Sequence, residues 1–336
     1  MINFANKNIR KMKKYSPPLE GRRCYNGRLL DFNERTIPPS KKVIKALTKF
    51  INGDQMQLYP EYENINNKIA EYAGVKKDQV MITNGSDQGI DIIFRTYTEN
   101  GDKVFIPSPS FAMFFQCAQI MGNQVVSSIG RGVKLIVICN PNNPTGSYVS
   151  VKDIEKILIK ALRISAMVYV DEAYFEFSKI TAAGLIDKYP NLIISRTFSK
   201  AFGLASLRIG YVLSSAQNID EMMKIRGPYD ISMTAVTAAS AALDDVREME
   251  KYVDEVMNRA KPLVEDYFKT NNIRFFPSRA NFLLFKMENP LMHSEKLKSL
   301  GFLTRPRSGK GIDGTIRVTI GTVSQMKKFI NKFKNA

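Results

Sequence analysis

Tryptophan is absent from the 336-residue sequence, histidine occurs only at His293, and cysteine only at Cys24, Cys117 and Cys139. A single histidine excludes mechanisms that need two imidazoles, such as HExxH zinc sites, and we predict no metal site. The three cysteines are widely spaced and form no CxxC pair, so we expect neither a disulfide framework nor an oxidising compartment. Cytoplasm is the predicted location.

Long apolar runs are missing as well. The most apolar stretch, 231–243, is interrupted by serine and threonine residues, whereas a membrane-spanning helix needs about 20 apolar residues. The N-terminus is polar and basic and lacks the apolar segment of a secretory signal. We therefore expect no membrane partner.

Acidic residues are outnumbered, because 32 Asp and Glu face 49 Lys and Arg and give a net charge of +17. The basic residues are spread along the chain and are not interleaved with stacking aromatics, so we predict a solvated surface and no nucleic-acid partner. Hydrophobic residues make up 44% of the sequence, which is typical of a folded protein. The length favours two domains around one active site.

Short apolar, β-rich segments recur between positions 79 and 213 and predict buried strands. They are 79–83, 103–106, 124–127, 134–139, 167–171, 191–197 and 208–213. Helical spacing between them, as in 87–97 and 151–162, predicts an α/β fold with a mostly parallel seven-stranded sheet covered on both faces.

The remainder of the chain predicts a second, smaller α+β unit. Segment 231–267 is expected to form one or two helices that lead into it. Its predicted strands and helices are 273–276, 281–287, 291–300, 315–320 and 323–333. We divide the chain into an N-terminal arm with part of the small domain (1–40), a large domain (41–250) and a small C-terminal domain (251–336).

Polar segments follow four of the predicted strands, the position at which open α/β sheets bind ligands. Asn84-Gly85-Ser86-Asp87 opens a helix, with Ser86 as its expected cap and free N–H groups as an anion site. Residues 140–146 present asparagines between two prolines, which fix the backbone.

Asp171 ends a buried strand, where a carboxylate needs a cation or several hydrogen bonds. Lys200 lies beside an apolar, glycine-containing loop, where desolvation would lower the pKa of its amine. Taken singly, Lys200 is more typical of a surface lysine. Together, the asparagine, the buried aspartate, the lysine and the anion-binding helix start match what pyridoxal 5′-phosphate requires.

Five motifs carry a resemblance to a known family: NPNNPTG (140–146), DEAYFEF (171–177), RTFSKAFGLASLRIGY (196–211), ANFLLF (280–285) and IRVTIGT (316–322). They resemble the fold-type I aminotransferases, specifically the histidinol-phosphate aminotransferase group. The resemblance implies that family's fold, an amino donor and a 2-oxo acid as substrates, and transamination between histidinol phosphate and 2-oxoglutarate.

The resemblance assigns roles around the cofactor ring. Lys200 would bind the cofactor covalently and later carry the substrate's proton, and Asp171 would keep the pyridine nitrogen protonated. Asn143 and Tyr174 would hydrogen-bond the phenolic oxygen, and the Phe111 ring would stack on the cofactor.

At the cofactor phosphate, the family pattern assigns the helix start at Gly85, Ser86 and Asp87 together with Ser199 and Arg208. Asp87 is expected there as a helix-start residue rather than as a direct contact.

Further residues are implied outside the cofactor's immediate surroundings. Tyr59 would reach the phosphate of the neighbouring subunit, which implies a homodimer. Arg317 would clamp the substrate's anionic end, with Arg305 and Arg307 as additional cations from the loop 301–309, and Asn33 would line the pocket.

Three positions depart from the family pattern: Gln88 where Glu is usual, Ser206 where Gly is usual, and Asp230 where Asn is usual. A carboxylate at 230 near a phosphate would repel it, so either Asp230 faces away or the substrate differs. Alternatives on the same scaffold are an aromatic amino acid aminotransferase and a threonine-phosphate decarboxylase. A cofactor-binding regulator is a further alternative, although the segment before Asp31 is too short for a helix-turn-helix module.

Overall fold

The computed structural model describes residues 4–334 of the chain. In chain order its strands are β1 Arg28–Leu29, β2 Val80–Thr83, β3 Lys103–Phe105, β4 Gln124–Val126, β5 Val133–Cys139, β6 Met167–Asp171, β7 Leu192–Thr197, β8 Gly210–Ser214, β9 Phe275–Phe276, β10 Phe282–Lys286, β11 Phe302–Leu303, β12 Arg305–Arg307 and β13 Thr315–Thr319. Its α-helices are α1 Lys7–Arg10, α2 Lys41–Ile51, α3 Glu63–Ala73, α4 Gly85–Tyr97, α5 Ala112–Met121, α6 Val151–Leu162, α7 Phe175–Ser178, α8 Ala216–Met223, α9 Met233–Leu243, α10 Val246–Asp254, α11 Lys261–Thr270, α12 Pro290–Ser299 and α13 Val323–Phe333.

A seven-stranded sheet with the order β2-β8-β7-β6-β5-β3-β4 forms the larger part of the molecule. Strand β8 runs antiparallel to both of its neighbours, and every other pairing in this sheet is parallel. The seven strands correspond to the seven predicted segments, and the predicted mostly parallel α/β sheet is confirmed. The parallel arrangement brings the carboxyl ends of β5, β6 and β7 to one edge.

Helices cover both faces of this sheet. Successive residues of a strand point to opposite faces, so one strand contributes side chains to two separate cores. In β5, Leu135 and Val137 pack in a core with α4 and α5, whereas Ile136 and Ile138 pack in a second core with α6 and α9. Both faces being apolar explains why these strands are continuous hydrophobic runs rather than alternating ones.

A smaller antiparallel sheet with the order β12-β13-β10-β9 lies in the C-terminal part of the chain. Strand β1 pairs in parallel with β11, and Thr319 N donates to Leu30 O (2.8 Å), so the N-terminal segment joins this smaller unit. The chain between β1 and α2 thereby contacts the last residue of β13, Thr319. The residue boundaries of the three predicted domains stay a prediction.

The expectation of one or two helices over 231–267 is confirmed. Helix α9 is the first, and the π-helical turn Glu255–Ala260 joins α10 and α11 into a second continuous helical stretch. Asp245 leaves helical geometry at φ −138° and separates the two.

The expectation of a loop over 301–309 is wrong, because the segment contains β11 and β12. Sequence patterning misses β12 because Arg-Pro-Arg has no apolar alternation, and the strand is defined by its backbone pairing with β13.

Candidate active site

Asp171 ends β6 between its two strand-register partners, Cys139 on β5 and Ser195 on β7. Ser195 Oγ donates to Asp171 Oδ1 (2.9 Å), and Cys139 Sγ lies 3.7 Å from Oδ2. No ion pair formed by residues 4–334 includes this carboxylate. Burial raises the pKa of Asp171 to about 6, although the hydrogen bond from Ser195 opposes that rise. The site therefore holds a buried acid that lacks a positive partner within the described chain.

Lys200 follows β7 by three residues, and its Nζ donates to the carbonyl oxygen of Phe32 (2.9 Å). The ammonium also lies 5.9 Å from the centre of the Tyr174 ring. Burial lowers the pKa of Lys200 to about 8, and the positive charge of Arg317 acts in the same direction. The amine is held inside the molecule with a larger neutral fraction near neutral pH than a surface lysine has.

Tyr174 lies just after β6 and accepts a hydrogen bond from Asn33 Nδ2 at its Oη (2.9 Å). Asn33 has a left-handed backbone (φ 56°), and its own N–H donates to Thr319 Oγ1 (3.0 Å). Burial raises the pKa of Tyr174 to about 12, so the phenol keeps its proton and remains a donor.

Arg317 on β13 donates from Nη1 to Asn143 Oδ1 and from Nη2 to the carbonyl oxygen of Asp31, both at 2.6 Å. Its Nε is buried and has no hydrogen-bond partner among the described residues. Burial lowers the pKa of Arg317 to about 10, and the charges of Arg307 and Arg305 add to that effect. Asn143 and Arg317, which the sequence predicts in separate roles, are thus in direct contact, and this contact joins the segment after β5 to the smaller sheet.

The first turn of α4 lies against Arg208, whose Nη2 donates to Asp87 Oδ2 (2.9 Å) and whose Nη1 lies 3.5 Å from Ser199 Oγ. Gly85 has a positive φ of 69°, and a Cβ there would overlap the Arg208 guanidinium. The expectation that Ser86 caps this helix is wrong. The N-cap is Asn84, whose side chain makes no capping bond and whose Nδ2 donates to the carbonyl of Asp230 (3.0 Å).

Two predicted residues lie apart from these contacts. Phe111 is the N-cap of α5, is partly buried, and meets the Phe114 ring edge-on at 5.7 Å. Tyr59 is 75% exposed and stacks on Tyr229 with the ring centres 4.3 Å apart. The residue on which Tyr59 stacks, Tyr229, is not one of the predicted site residues.

Three arginines share one face of the smaller sheet. Arg305 on β12 is directly opposite Arg317 on β13, and Arg307 follows two residues later, so the three side chains leave the sheet on the same side. None of them forms an ion pair with a carboxylate in the part of the chain that the structure describes. Arg307 Nε is buried without a hydrogen-bond partner in that same part. This arginine trio (Arg305, Arg307 and Arg317) is a concentrated, unpaired positive charge.

The departures at positions 88 and 230 contact each other. Gln88 Nε2 donates to Asp230 Oδ2 (2.8 Å), and Arg226 Nη2 donates to Asp230 Oδ1 (2.7 Å). Arg226 therefore neutralises the carboxylate whose repulsion of a phosphate was in question. An amide at 88 suits a carboxylate at 230, just as a carboxylate at 88 would suit an amide at 230. Nothing in the structure explains Ser206.

Sequence reasoning missed Ser195, Cys139, Phe32 and Arg22. The first two hold Asp171 only because β5 and β7 flank β6, and strand order is not written in the local sequence. Phe32 contributes a backbone oxygen, for which no residue type gives a signal. Arg22 makes two ion pairs, at 2.7 Å to Asp31 and 2.5 Å to Glu34, that residue spacing does not reveal.

The residues present fit the predicted cofactor. The unpaired buried Asp171 suits a protonated ring nitrogen, and Lys200 supplies an amine in the same interior region. The helix start whose Gly85 leaves room for Arg208 suits a phosphate. No group of three or more metal-ligating side chains occurs within residues 4–334.

A cavity of about 850 Å³ lies elsewhere, between Lys179 at the end of α7 and the region of α10, α11 and β9. None of the predicted site residues lines it. Two residues of its wall contact the 140–146 segment: Arg279 N–H donates to the carbonyl of Gly146 (2.8 Å), and Ser278 lies against the Cβ position of Gly146. Among the described residues, no helix is long and apolar enough to cross a membrane.

Comparisons with known proteins bear on this arrangement. The family model for aminotransferase class I and II matches residues 27–333. A histidinol-phosphate aminotransferase of Caldanaerobacter subterraneus subsp. tengcongensis is 33% identical, over 91% of this chain and 92% of that protein. A dihydroxyacetone phosphate transaminase of Campylobacter jejuni subsp. jejuni is 35% identical, over 98% and 96%. The structure of histidinol-phosphate aminotransferase from Sinorhizobium meliloti, in complex with pyridoxal-5′-phosphate, superposes with a TM-score of 0.86 at 21% identity over 100% and 99%.

Proposed function

The chain belongs to the class I and II aminotransferases, and from that membership we propose that it transfers an amino group to or from a phosphate-bearing substrate with pyridoxal 5′-phosphate as cofactor. The preferred reaction is between histidinol phosphate and 2-oxoglutarate, giving imidazole acetol phosphate and glutamate. Relatives named histidinol-phosphate aminotransferase, 31–33% identical over about nine-tenths of this chain, support this choice.

The arginine trio is the observation that carries the proposal. Like charges opposite each other in a sheet are unfavourable, so three unpaired guanidinium groups on one face favour a bound anion. A phosphate monoester carries nearly two negative charges at neutral pH and takes several charge-assisted hydrogen bonds. The α-carboxylate of glutamate would use the same face in the second half-reaction.

The chain's own residues supply positioning and proton transfer. When bound, pyridoxal 5′-phosphate supplies the electron sink for the substrate carbanion. Lys200 Nζ would hold the cofactor covalently and would move the proton at the substrate Cα. Asp171 would keep the ring nitrogen charged, Asn143 and Tyr174 would hold the phenolic oxygen, and Phe111 would pack on the ring.

The phosphate of the cofactor is assigned to the α4 start, Ser199 and Arg208. Asp87 acts there through its ion pair with Arg208 rather than as a ligand (2.9 Å). Tyr59, exposed on its own subunit, reaches the neighbouring site in a homodimer. The three free cysteines support a cytoplasmic location.

Dihydroxyacetone phosphate is a second candidate substrate, favoured by the Campylobacter relative that covers 98% of this chain. The two candidate substrates have the same arrangement of phosphate and reacting carbonyl. In imidazole acetol phosphate and in dihydroxyacetone phosphate, the reacting carbonyl carbon is one methylene away from the phosphate ester, and only the group on its other side differs. The arginine trio would therefore bind either substrate in one orientation.

A substrate screen tests the function. Purified protein with added cofactor is assayed with histidinol phosphate plus 2-oxoglutarate, and with dihydroxyacetone phosphate plus glutamate. Phenylalanine, tyrosine and threonine phosphate serve as further donors, with detection of released CO₂. We expect kcat/KM for a phosphate-bearing substrate to exceed that for phenylalanine about 100-fold or more, because the trio gains two charge-assisted contacts. A preference for the aromatic donors, or CO₂ release as the main product, would overturn the proposal.

A variant tests the assignment of Lys200. In Lys200→Ala the covalent attachment of the cofactor, detected by borohydride reduction and mass spectrometry, should disappear, and turnover should fall by at least about 1,000-fold. Lys261→Ala is the matched control, because burial lowers the pKa of Lys261 to about 8 as well, yet it lies in the 850 Å³ cavity. Attachment lost in the control but kept in Lys200→Ala would contradict the assignment.

A further inference from the structure

Arg22, in the short 3₁₀ helix Arg22–Cys24, makes more charged contacts than any role assigned so far requires. Its side chain is 11% exposed, and its Nε and Nη2 donate to the two Asp31 oxygens at 2.9 and 2.7 Å. Nη2 and Nη1 also donate to the Glu34 carboxylate at 2.5 and 3.3 Å. Between these anchors the guanidinium lies 4.2 Å from the centre of the Phe32 ring.

Arg22 holds the segment 31–34 through its ion pairs with Asp31 and Glu34. Three consecutive residues of this segment contact the candidate active site. Asp31 offers its carbonyl oxygen to Arg317, Phe32 offers its carbonyl oxygen to Lys200, and Asn33 donates its amide to Tyr174. A shift of this segment would therefore move the partners of three assigned residues together.

Residues 31–34 carry two carboxylates that lie close to positively charged residues of the candidate site. Asp31 and Glu34 bring two carboxylates to the side where the arginine trio lies, and the Glu34 charge acts on Lys200 so as to raise the pKa of its amine. Arg305 lies 5.5 Å from the Phe32 ring and, unlike Arg22, has no carboxylate partner within residues 4–334. Of the two arginines beside Phe32, Arg22 forms ion pairs with carboxylates, whereas Arg305 forms none within residues 4–334.

We propose that Arg22 is a positioning and specificity-determining residue, which neutralises Asp31 and Glu34 so that the anionic end of the substrate meets the arginine trio without opposing carboxylates. The proposal rests on the proposed function for its substrate class. Without Arg22, two negative charges would remain beside the trio, and repulsion would weaken phosphate binding more than α-carboxylate binding because of the larger charge.

The test compares Arg22→Gln with the double variant Arg22→Gln/Glu34→Gln. The control is Arg23→Gln, because Arg23 is exposed in the same 3₁₀ helix. In Arg22→Gln we expect KM for the phosphate-bearing substrate to rise about 10-fold, with a smaller rise for glutamate and kcat within about threefold. Added salt should shrink the difference. The double variant should recover most of the loss, and the control should match the wild type.

A second readout does not depend on turnover. The reactivity of Lys200 toward reductive methylation is measured by mass spectrometry on cofactor-free protein across pH 6 to 11. Because the released Glu34 charge stabilises the ammonium, the midpoint should move to higher pH in Arg22→Gln and return in the double variant. Arg22→Lys, which keeps the charge but not the two-pronged geometry, gives an intermediate shift and serves if Arg22→Gln does not fold.

A purely structural role predicts a different pattern. All substrates would then lose kcat/KM equally, thermal stability would fall, and Glu34→Gln would bring no recovery, and this pattern overturns the proposal. If the wild type itself does not turn over phosphate-bearing substrates, the proposed function fails. The Lys200 midpoint still decides the role of Arg22 in that case, since an unchanged midpoint in Arg22→Gln contradicts it.

Discussion

At the scale of single residues, Asp171 shows that a functional group can oppose the stability of the fold that holds it. Its folded-state pKa of about 6 lies above the ordinary value of 3.8, because burial disfavours the charged form. The contribution of this carboxyl to stability is therefore fully present below pH 3.8 and is lost as pH rises through about 6. At neutral pH a buried charge remains that the described chain does not pair.

We predict that Asp171→Asn makes the cofactor-free protein more stable at pH 7, by up to about 3 kcal/mol, since an amide needs no counter-charge. The gain should vanish below about pH 4, where the wild-type carboxyl is protonated. Urea unfolding at several pH values measures it. Asp187→Asn should act in the opposite direction, because hydrogen bonds from Gln79 and Lys76 lower the pKa of that exposed carboxyl. A variant less stable than wild type at pH 7 contradicts this reasoning.

Residue type and position predict Asp171, Lys200 and the asparagines of 140–146 as candidates, because they lie at or just after the ends of recognisable apolar strands. The family resemblance adds the choice of Asn143 among those asparagines. The partners of these residues were not predictable, since they depend on which strands lie side by side. Position 230 makes the same point. The sequence alone predicts that its carboxylate would repel a nearby phosphate, whereas in the structure Arg226, four residues earlier, forms an ion pair with it.

At the scale of elements, the prediction worked where a segment has one consistent period. Helix α6 has such a period, and the central strands of the large sheet are recognisable as continuous apolar runs, whereas β12 has neither signal and its sequence predicts a loop. Helix α4 begins one residue before its expected cap, because Gly85 can take the left-handed backbone that lets the helix start against Arg208.

Gly85 therefore gives a test of the anion-binding element. In Gly85→Ala the added methyl group displaces Arg208, so we expect affinity for pyridoxal 5′-phosphate to fall about 10-fold or more, besides a loss of about 1 kcal/mol of stability from the backbone. Gly74→Ala is the control, because Gly74 has the same φ of 69° and no atom within 4 Å of its Cβ position. It should lose the stability but keep the affinity, which equilibrium titration with the cofactor would report. Equal affinity losses in both variants would falsify the role of Arg208.

At the scale of the whole molecule, one region exposes several large apolar side chains together. Ile51 at the end of α2, Met56, Leu58 and Tyr59 in the following segment, and Tyr229 are each more than half exposed. Such a patch is typical of an interface, and it contains the tyrosine assigned to the neighbouring site.

We predict that Leu58→Glu weakens self-association at least about 10-fold, because it places a charge in this patch. Sedimentation velocity at micromolar concentration measures the dimer fraction, and turnover should fall with it. Leu291→Glu is the control, since Leu291 is 72% exposed on α12 and separate from the patch. A wild-type protein that is monomeric at high concentration excludes the homodimer.

The contact between Arg317 and the carbonyl of Asp31 has a consequence for how the molecule turns over. In the free protein both terminal nitrogens of this arginine already donate to the chain, at 2.6 Å each. An anion that takes the place of the Asp31 carbonyl at Nη2 exchanges one acceptor for another, so the net gain at that nitrogen is smaller than a fresh contact would give. When the product leaves, the Asp31 carbonyl oxygen accepts the hydrogen bond from Arg317 again. This exchange makes product release easier and favours rapid turnover over tight product binding.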